Sequence, residues 1–195
     1  MEWGTAFAAS TWLVSTVSFT ADYWEDVALN DGTAVRLRPI RPDDKPRLRE
    51  ILARLSPRSR VMRFFTARSH LSDAELRYLT EVDGTDHLAI LAMRGDESIG
   101  VARFIRGERG GRIAEPAFAV IDDFQGRGLG RILVARLAAA AHERGIDSFE
   151  AEVLRGNQTM LRLLHELDGA VLPRESTSPD SITVAIDLPA RAAVR

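Results

Sequence analysis

The sequence predicts an α+β domain in which a mixed, mostly antiparallel central sheet is flanked by helices. A strand-rich block spans residues 87–120, and apolar residues at helical spacing lie before it, in residues 42–55, and after it, in residues 128–144. The chain has 195 residues, of which 45% are hydrophobic and 28% are charged. This length and composition are typical of one globular domain with a continuous core.

The part of the chain before the sheet block contains a turn, a strand and three helices. Residues 30–32 (Asn-Asp-Gly) favour a tight turn, and the alternation that follows predicts a strand over residues 33–38. The first helix is predicted over residues 42–55. A Ser-Pro pair at residues 56–57 is typical of a second helix start, and a Ser-x-x-Glu capping box predicts a third helix over residues 72–82.

The sheet block itself is interpreted as a three-stranded antiparallel meander over residues 87–93, 98–105 and 113–120. A strongly amphipathic helix follows over residues 128–144 and ends at Gly145. The remaining predicted elements are a strand over 149–154, a helix over 157–167, a short strand over 171–172 and a last strand over 182–188.

Composition excludes several classes of function. The chain has no cysteine, which excludes disulfides, iron–sulfur clusters, cysteine-ligated zinc and a catalytic thiol. Its four histidines lie far apart, so no metal site is predicted. The net charge of −2 argues against a nucleic acid partner. No run of about 18 apolar residues indicates a membrane span, and we expect a cytoplasmic protein.

Residues 1–26 are predicted to be an N-terminal extension to a domain over residues 27–190. The extension is apolar and rich in serine and threonine, with large aromatic residues such as Trp3 and Trp12. We expect it to pack on the domain or on the partner subunit of a homodimer. A cleaved secretory signal would need a basic start, whereas Glu2 is the only charge in residues 1–20. An over-long start is a further alternative.

Residues 114–130 carry the most informative motif. A predicted strand is followed by Gln-Gly-Arg-Gly-Leu-Gly at residues 125–130, which opens directly into a helix. Glycines here let a ligand approach the backbone, and the free N–H groups of the first helical turn attract an anion. The spacing fits neither the third glycine of a Rossmann fingerprint nor the lysine of a Walker loop. The segment therefore predicts a cradle for a different pyrophosphate ligand.

Residues 27–188 resemble the GCN5-related N-acetyltransferase (GNAT) superfamily. The resemblance rests on the Gln-x-x-Gly-x-Gly loop between a strand and a helix. It also rests on Leu-Ser-Pro-Arg-Ser-Arg at residues 55–60 and Arg-Phe-Phe at residues 63–65, which resemble the branch that includes bacterial protein-lysine acetyltransferases. It implies the GNAT fold and acetyl-CoA as acyl donor. The loop residues implied to hold the donor are Gln125, Gly126, Arg127, Gly128, Leu129, Gly130 and Arg131.

The resemblance also assigns roles to the strand before this loop. Glu115 matches a glutamate that serves that branch as general base, usually through water; the alternative is a solvated strand position. An alkylammonium with a pKa of about 10.4 must lose its proton before it attacks a thioester. Pro116 removes one ladder donor, which agrees with a splayed strand. There the backbone of Phe118, Ala119 and Val120 is implied to pair with the pantetheine arm.

A second set of implied donor-binding residues begins the next predicted helix. In the superfamily an asparagine at the position of Asn157 commonly faces the donor; the alternative is an ordinary helix N-cap. Met160 and Leu161 are implied to line the pantetheine. Many members carry a tyrosine seven residues after the asparagine to protonate the leaving thiolate, but this chain has Leu164 there. We expect no dedicated general acid, because a thiol with a pKa of about 8.5 is a tolerable leaving group.

The sequence therefore predicts an N-acetyltransferase that moves acetyl from acetyl-CoA to a primary amine, with a protein lysine side chain as the favoured acceptor. The alternatives are a small-molecule amine acetyltransferase and a non-catalytic acyl-CoA-binding module. The positive charge of a lysine would favour an acidic rim. The candidates for that rim are Asp83, Asp86, Glu115, Asp122 and Asp123. The pair Phe64–Phe65 is predicted to be core, with one ring available as a wall of the acceptor groove.

Overall fold

One mixed sheet runs through the part of the chain that the structure describes. This computed structural model describes residues 18–165, 171–174 and 178–188. Within them the strands are β1 (Glu25–Ala28), β2 (Ala34–Pro39), β3 (His87–Arg94), β4 (Glu97–Arg106), β5 (Ile113–Val120), β6 (Ser148–Leu154), β7 (Val171–Arg174) and β8 (Ser181–Asp187). The helices are α1 (Lys45–Ala53), α2 (Pro57–Phe64), α3 (Asp73–Thr80), α4 (Leu129–Glu143) and α5 (Gln158–His165). The predicted α+β class is confirmed.

The strand order is β1-β2-β3-β4-β5-β6-β8-β7, and every neighbouring pair except β5–β6 is antiparallel. The predicted meander is confirmed: Ala102 of β4 pairs with Ile90 on one side and with Phe118 on the other. Strand β1 was not predicted, because it starts with two acidic residues and is only four residues long. Its partner β2 alternates exposed and buried residues, as expected for a strand with one buried face.

The sheet splays between its two parallel strands. Only two register pairs join β5 to β6, Ile113 with Ser148 and Ala114 with Phe149. Helix α4 makes the crossover between these strands, as a parallel connection requires. Beyond Ala114, β5 stays paired with β4 while β6 pairs with β8, so a wedge opens between β5 and β6. The splay expected at this strand is therefore present.

The short helices begin as the sequence predicts. Ser56 accepts the backbone N–H of Ser59 at the start of α2, and Ser72 with Glu75 forms the capping box of α3. Phe64 is half-buried against the core, but Phe65 is exposed, so the prediction that both rings are core is wrong for Phe65. The reason is that Phe65 ends α2 in the left-handed conformation (φ 61°), which turns the chain outward.

Helix α4 packs directly against the sheet. Its buried face includes Leu129, Leu133 and Leu137, all fully buried. The close approach depends on Gly100 of β4, where a Cβ would lie 3.1 Å from the Ala119 carbonyl oxygen and 3.3 Å from Leu129 Cδ2. Within the described residues, no helix is long and apolar enough to cross a membrane.

The described part of the predicted N-terminal extension lies against α4. Phe19 and Tyr23 are buried, and their rings lie 4.7 Å apart. The Phe19 N–H donates to Glu143 at the end of α4, and Arg144 donates to the Phe19 carbonyl. Residues 1–17, and the end of the helix predicted over residues 157–167, lie outside the described residues.

Candidate active site

The glycine loop forms the N-terminus of α4. Gly126 and Gly128 have φ angles of 73° and 92°, a backbone conformation that disfavours residues with a Cβ. Gly128 is the N-cap residue, and the first intrahelical bond of α4 runs from Ile132 N to the Gly128 carbonyl at 3.2 Å. The N–H groups ahead of Ile132 therefore extend from the positive end of a fifteen-residue helix. This geometry suits a phosphate-bearing ligand.

The turn between β1 and β2 supports the loop from behind. The Asn30 N–H donates to the Arg127 carbonyl at 3.0 Å, and Arg127 Nη1 pairs with Asp31 Oδ2 at 3.1 Å. A Cβ at Gly128 would lie 2.8 Å from Asn30 Oδ1, so a larger residue there would displace the Asn30 side chain. This contact was not predicted from the sequence, because the turn and the loop are almost one hundred residues apart.

Gln125 links the loop to the end of β5. Its side-chain amide donates to the Val120 carbonyl at 2.9 Å and lies 3.3 Å from the Ser59 hydroxyl. The predicted loop glutamine therefore fixes the strand end through its side chain, and the Val120 carbonyl already has one hydrogen bond. On the other side of the loop, the Arg127 guanidinium lies 4.8 Å from the centre of the Phe124 ring.

The predicted donor-binding residues of β5 and α5 lie on the two sides of the wedge. Phe118 is buried, whereas Ala119 and Val120 are half-buried at the strand end. The structure places Asn157 as the N-cap of α5, since its Oδ1 accepts the Met160 N–H at 3.1 Å. Leu164 is only 1% exposed and belongs to the core.

Helix α5 also contacts the start of α4. Met160 and Leu161 are half-buried against the core. A Cβ at Gly130 would lie 3.4 Å from Leu163 Cδ2, so α5 packs close to the first turn of α4. The loop and α5 are therefore neighbours at the start of α4, and the wedge between β5 and β6 together with these two segments is called the cleft below.

Glu115 lies on the face of β5 that is turned toward helices α1 to α3. It is exposed, and alternation along a strand puts it on the same face as Ala117 and Ala119. These two alanines line a cavity of about 30 Å³ between the sheet and helices α1 to α3. The predicted base therefore lies on the same face of the sheet as this cavity, opposite the face that packs against α4.

Two arginines line that cavity. Arg103 of β4 is 3% exposed, and Arg63 stands in the last turn of α2. Burial lowers the pKa of both guanidinium groups; for Arg63, the nearby Glu115 carboxylate acts in the opposite direction. From the sequence, Arg63 was noted only as part of the Arg-Phe-Phe segment, and Arg103 was not predicted as a site residue. The available signal was a charged residue inside the apolar strand 98–105.

His87, which the sequence analysis gave no role, lies behind Arg103. Its Nε2 is 3.2 Å from Arg103 Nη1, and its ring is 5.0 Å from that of Tyr78. Because a guanidinium only donates, Nε2 is the unprotonated nitrogen that accepts. Burial, and then the charge of Arg103, lower the pKa of His87 to about 4. The imidazole is therefore neutral at physiological pH.

The acidic rim expected around the acceptor groove does not form. Asp83 accepts backbone N–H groups of its own loop, and Asp86 pairs with Arg106 at 2.9 Å. At the other end of β5, Asp122 accepts the Ser56 N–H and Asp123 pairs with Arg54. These carboxylates are held by local partners and lie at opposite ends of the strand. Only Glu115 of the five candidates is beside the cavity. Within the described residues, no three acidic or histidine side chains group as a metal site would need.

Comparison with known sequences identifies the family. The profile of the family described as "Acetyltransferase (GNAT) family" matches residues 47–168, more than half of the chain. The chain belongs to the GNAT family. The resemblance predicted from the glycine loop is therefore confirmed, and so is the expectation of an acyltransferase.

Several relatives are similar along most of this GNAT chain. Acetyltransferase Pat of Mycolicibacterium smegmatis is 34% identical over 165 residues, which is 84% of this chain and 48% of Pat. Acetyltransferase PA5475 of Pseudomonas aeruginosa is 31% identical over 169 residues, or 85% of this chain and 88% of that protein. The chain thus spans about half the length of Pat and most of PA5475.

Solved structures agree with the fold. The GNAT domain of S. lividans PAT matches with a TM-score of 0.79 and 34% identity, covering 88% of this chain and 100% of that one. The yncA structure from Salmonella typhimurium, described as a putative acetyltransferase with its cofactor acetyl-CoA, matches with a TM-score of 0.63. It is 21% identical and covers 82% of this chain and 96% of its own, so it supports the fold alone.

Proposed function

We propose that this protein transfers an acetyl group from acetyl-CoA to a primary amine, and that the amine is a lysine side chain of a protein. The observation that carries the proposal is the juxtaposition of an anion-binding helix start with a splayed strand edge and an exposed carboxylate. The similarity to Pat supports a protein acceptor over a small amine.

The cleft fits the chemical parts of acetyl-CoA. The N–H groups at the start of α4, between Gly128 and Ile132, suit the pyrophosphate. The edge of β5 at Phe118, Ala119 and Val120, which has no strand partner on the β6 side among the described residues, offers backbone groups to the amides of the pantetheine arm. When bound, the donor supplies the thioester carbonyl that the amine attacks.

Glu115 provides the base in this proposal. A lysine ammonium, with a pKa of about 10.4, has to release a proton before its nitrogen becomes a nucleophile. Glu115 is exposed on the cavity face and accepts that proton, directly or through a water molecule. A backbone N–H of Ala119 or Val120 then stabilises the negative charge that develops on the thioester oxygen. The chain has no cysteine, so the amine attacks directly without a thioester on the enzyme.

The leaving thiolate needs no protein acid in this scheme. Leu164 stands where many relatives place a tyrosine, and its side chain is in the core. A thiolate whose conjugate acid has a pKa of about 8.5 is a good leaving group and takes its proton from solvent. We therefore propose that Glu115 is the one side chain that exchanges a proton in the reaction.

The test compares Glu115→Gln with Glu108→Gln, which removes an exposed carboxylate from the turn after β4. Transfer is measured as CoA release and by mass spectrometry of acetylated lysine in peptides and host proteins, and acetyl-CoA affinity by calorimetry. We expect Glu115→Gln to lower kcat about 100-fold with unchanged affinity, and Glu108→Gln to behave as the unchanged protein.

Three outcomes would contradict the proposal. Full activity of Glu115→Gln would remove Glu115 as the base. Rapid acetylation of polyamines, amino sugars or amino acids, with no acetyl-lysine in any protein, would indicate a small-molecule acetyltransferase. Tight acetyl-CoA binding without transfer to any amine would indicate a binding module.

A further inference from the structure

The cavity beside Glu115 contains two cationic side chains without an acidic partner of their own. Arg103 Nη1 donates to the Leu79 carbonyl at 3.1 Å and approaches His87, while the guanidinium of Arg63 lies 4.8 Å from the centre of the Phe64 ring. Among residues 18–165, 171–174 and 178–188, neither guanidinium forms a salt bridge. Both line the same cavity.

Two other arginines with little exposure, half-buried Arg38 and buried Arg106, are neutralised by aspartates. Arg38 forms a bidentate salt bridge with Asp44, with N–O distances of 2.7 and 2.6 Å, and the Arg106 guanidinium lies 2.9 Å from an Asp86 carboxylate oxygen. Buried charges are paired in proteins because the cost of removing them from water is otherwise not recovered. Among the described residues, Arg63 and Arg103 lack an acidic partner of this kind.

The neighbours of the pair do not supply the missing negative charge. His87 is neutral, and Tyr78 is a phenol. Glu115 attracts Arg63 at long range but forms no salt bridge with it within the described residues. Burial, followed by the charge of Arg63, lowers the pKa of Arg103 to about 9, so the two guanidinium groups repel each other across the cavity.

The size of the cavity limits what can neutralise the pair. A volume of about 30 Å³ holds roughly two water-sized groups, since one needs about 10–15 Å³. A carboxylate fits this space, whereas a whole amino acid or sugar does not. The anion has to project from a larger molecule that remains outside, in front of Ala117 and Glu115.

We propose that the cavity between Arg63 and Arg103 binds a carboxylate that belongs to the acceptor and lies next to the amine to be acetylated. This inference rests on the proposed transfer to an amine. For a protein acceptor, the carboxylate is the side chain of an aspartate or glutamate close to the target lysine. The paired charges let a cationic lysine approach a site that would otherwise repel it, and the carboxylate sets the distance between the amine and Glu115.

The main experiment measures kcat/KM for two peptides that differ only beside the lysine, one with glutamate and one with glutamine. We expect the acidic peptide to be favoured about tenfold, the strength of one charge-assisted hydrogen bond. Arg63→Gln should reduce that ratio to near one. Arg63 makes no hydrogen bond within the described residues, so the variant should fold. The control Arg109→Gln removes a fully exposed charge and should leave the ratio unchanged.

A second pair, a free amino acid and its carboxamide, distinguishes the source of the carboxylate. A preference confined to this pair would keep the arginine site but overturn the proposed protein acceptor. A preference confined to the peptides supports both proposals. Equal rates within both pairs, or a preference that survives in Arg63→Gln, would overturn the arginine site while leaving the proposed transfer intact.

A binding readout independent of turnover completes the test. We expect sodium propionate to raise the melting temperature above that in sodium chloride of the same ionic strength, for the unchanged protein and for Arg109→Gln. Arg63→Gln should lack the difference. An equal response of Arg63→Gln and the unchanged protein would refute carboxylate binding by the pair, even without a known acceptor.

Discussion

Replacing His87 with glutamine should make the protein more resistant to mild acid. His87 is 9% exposed and its ring lies against the Arg103 guanidinium, so the folded protein favours the neutral form of the ring. Its pKa falls from 6.5 to about 4, first because of burial and then because of the charge of Arg103. Below the unfolded pKa the unfolded chain binds a proton that the folded chain does not. Stability is therefore lost as the pH falls from about 6.5 to about 4.

The size of this loss follows from the two pKa values. Between about pH 7 and about pH 5, the protonation of unfolded His87 lowers the free energy of unfolding by about 2 kcal/mol. The full difference, reached below about pH 4, is about 3 kcal/mol. Carboxylates contribute little in this window. Burial would raise the pKa of Asp83, but three backbone N–H donors lower it, so its stabilisation is lost only below about pH 4.

The assay is urea unfolding at several pH values for the unchanged protein, His87→Gln and His165→Gln. Glutamine offers an acceptor to Arg103 without a titrating ring, and His165 is an exposed histidine on α5. His87→Gln should lose about 2 kcal/mol less than the unchanged protein between pH 7 and pH 5, and His165→Gln should follow the unchanged protein. Parallel curves for all three proteins would refute the assignment of a neutral, desolvated His87.

Two further predictions concern the cradle and the core. Gly128→Ala should weaken acetyl-CoA binding more than tenfold by calorimetry and lower the melting temperature, because its Cβ meets Asn30 in a left-handed backbone. Gly126→Ala, strained but without a contact within 4 Å, should be milder, and equal effects would contradict this reasoning. Asp44→Asn should cost about 3 kcal/mol in urea unfolding because it leaves Arg38 unpaired; a loss below about 1 kcal/mol would contradict it.

The elements with strong periodicity could be predicted from the sequence. Helix α4 repeats apolar residues at helical spacing, β3 and β4 are apolar runs bounded by turns, and the glycine loop lies between the meander and the helix. Strand β1 lacks that signal, because Glu25 and Asp26 open a four-residue edge strand. Phe65 was misplaced because hydrophobicity does not reveal that a helix ends one residue earlier in a left-handed turn.

The candidate site was only partly predictable. The loop and Glu115 lie within one short segment, residues 114–130, so local sequence is enough to propose them. Arg63 and Arg103 come from different elements, and their shared cavity exists only after α2 packs on the sheet. The prediction of an acidic rim was wrong for the same reason. The sequence shows how many carboxylates are present, but it does not reveal that Asp86 and Asp123 have arginine partners.

The support of the cradle by the β1–β2 turn has a consequence for local stability. Asn30 and Asp31 hold Arg127 from a hairpin at the edge of the sheet, where strands open most readily. If that hairpin opens, the glycine loop loses its contacts with Asn30 and Asp31. We therefore expect a ligand of the loop to bind only the form in which the hairpin is closed. By mass action such a ligand suppresses opening, and the amide hydrogens of β1 and β2 should exchange more slowly, although neither strand borders the cleft. Amide exchange in β1 and β2 would thus show whether a ligand is bound at the glycine loop, about one hundred residues further along the chain.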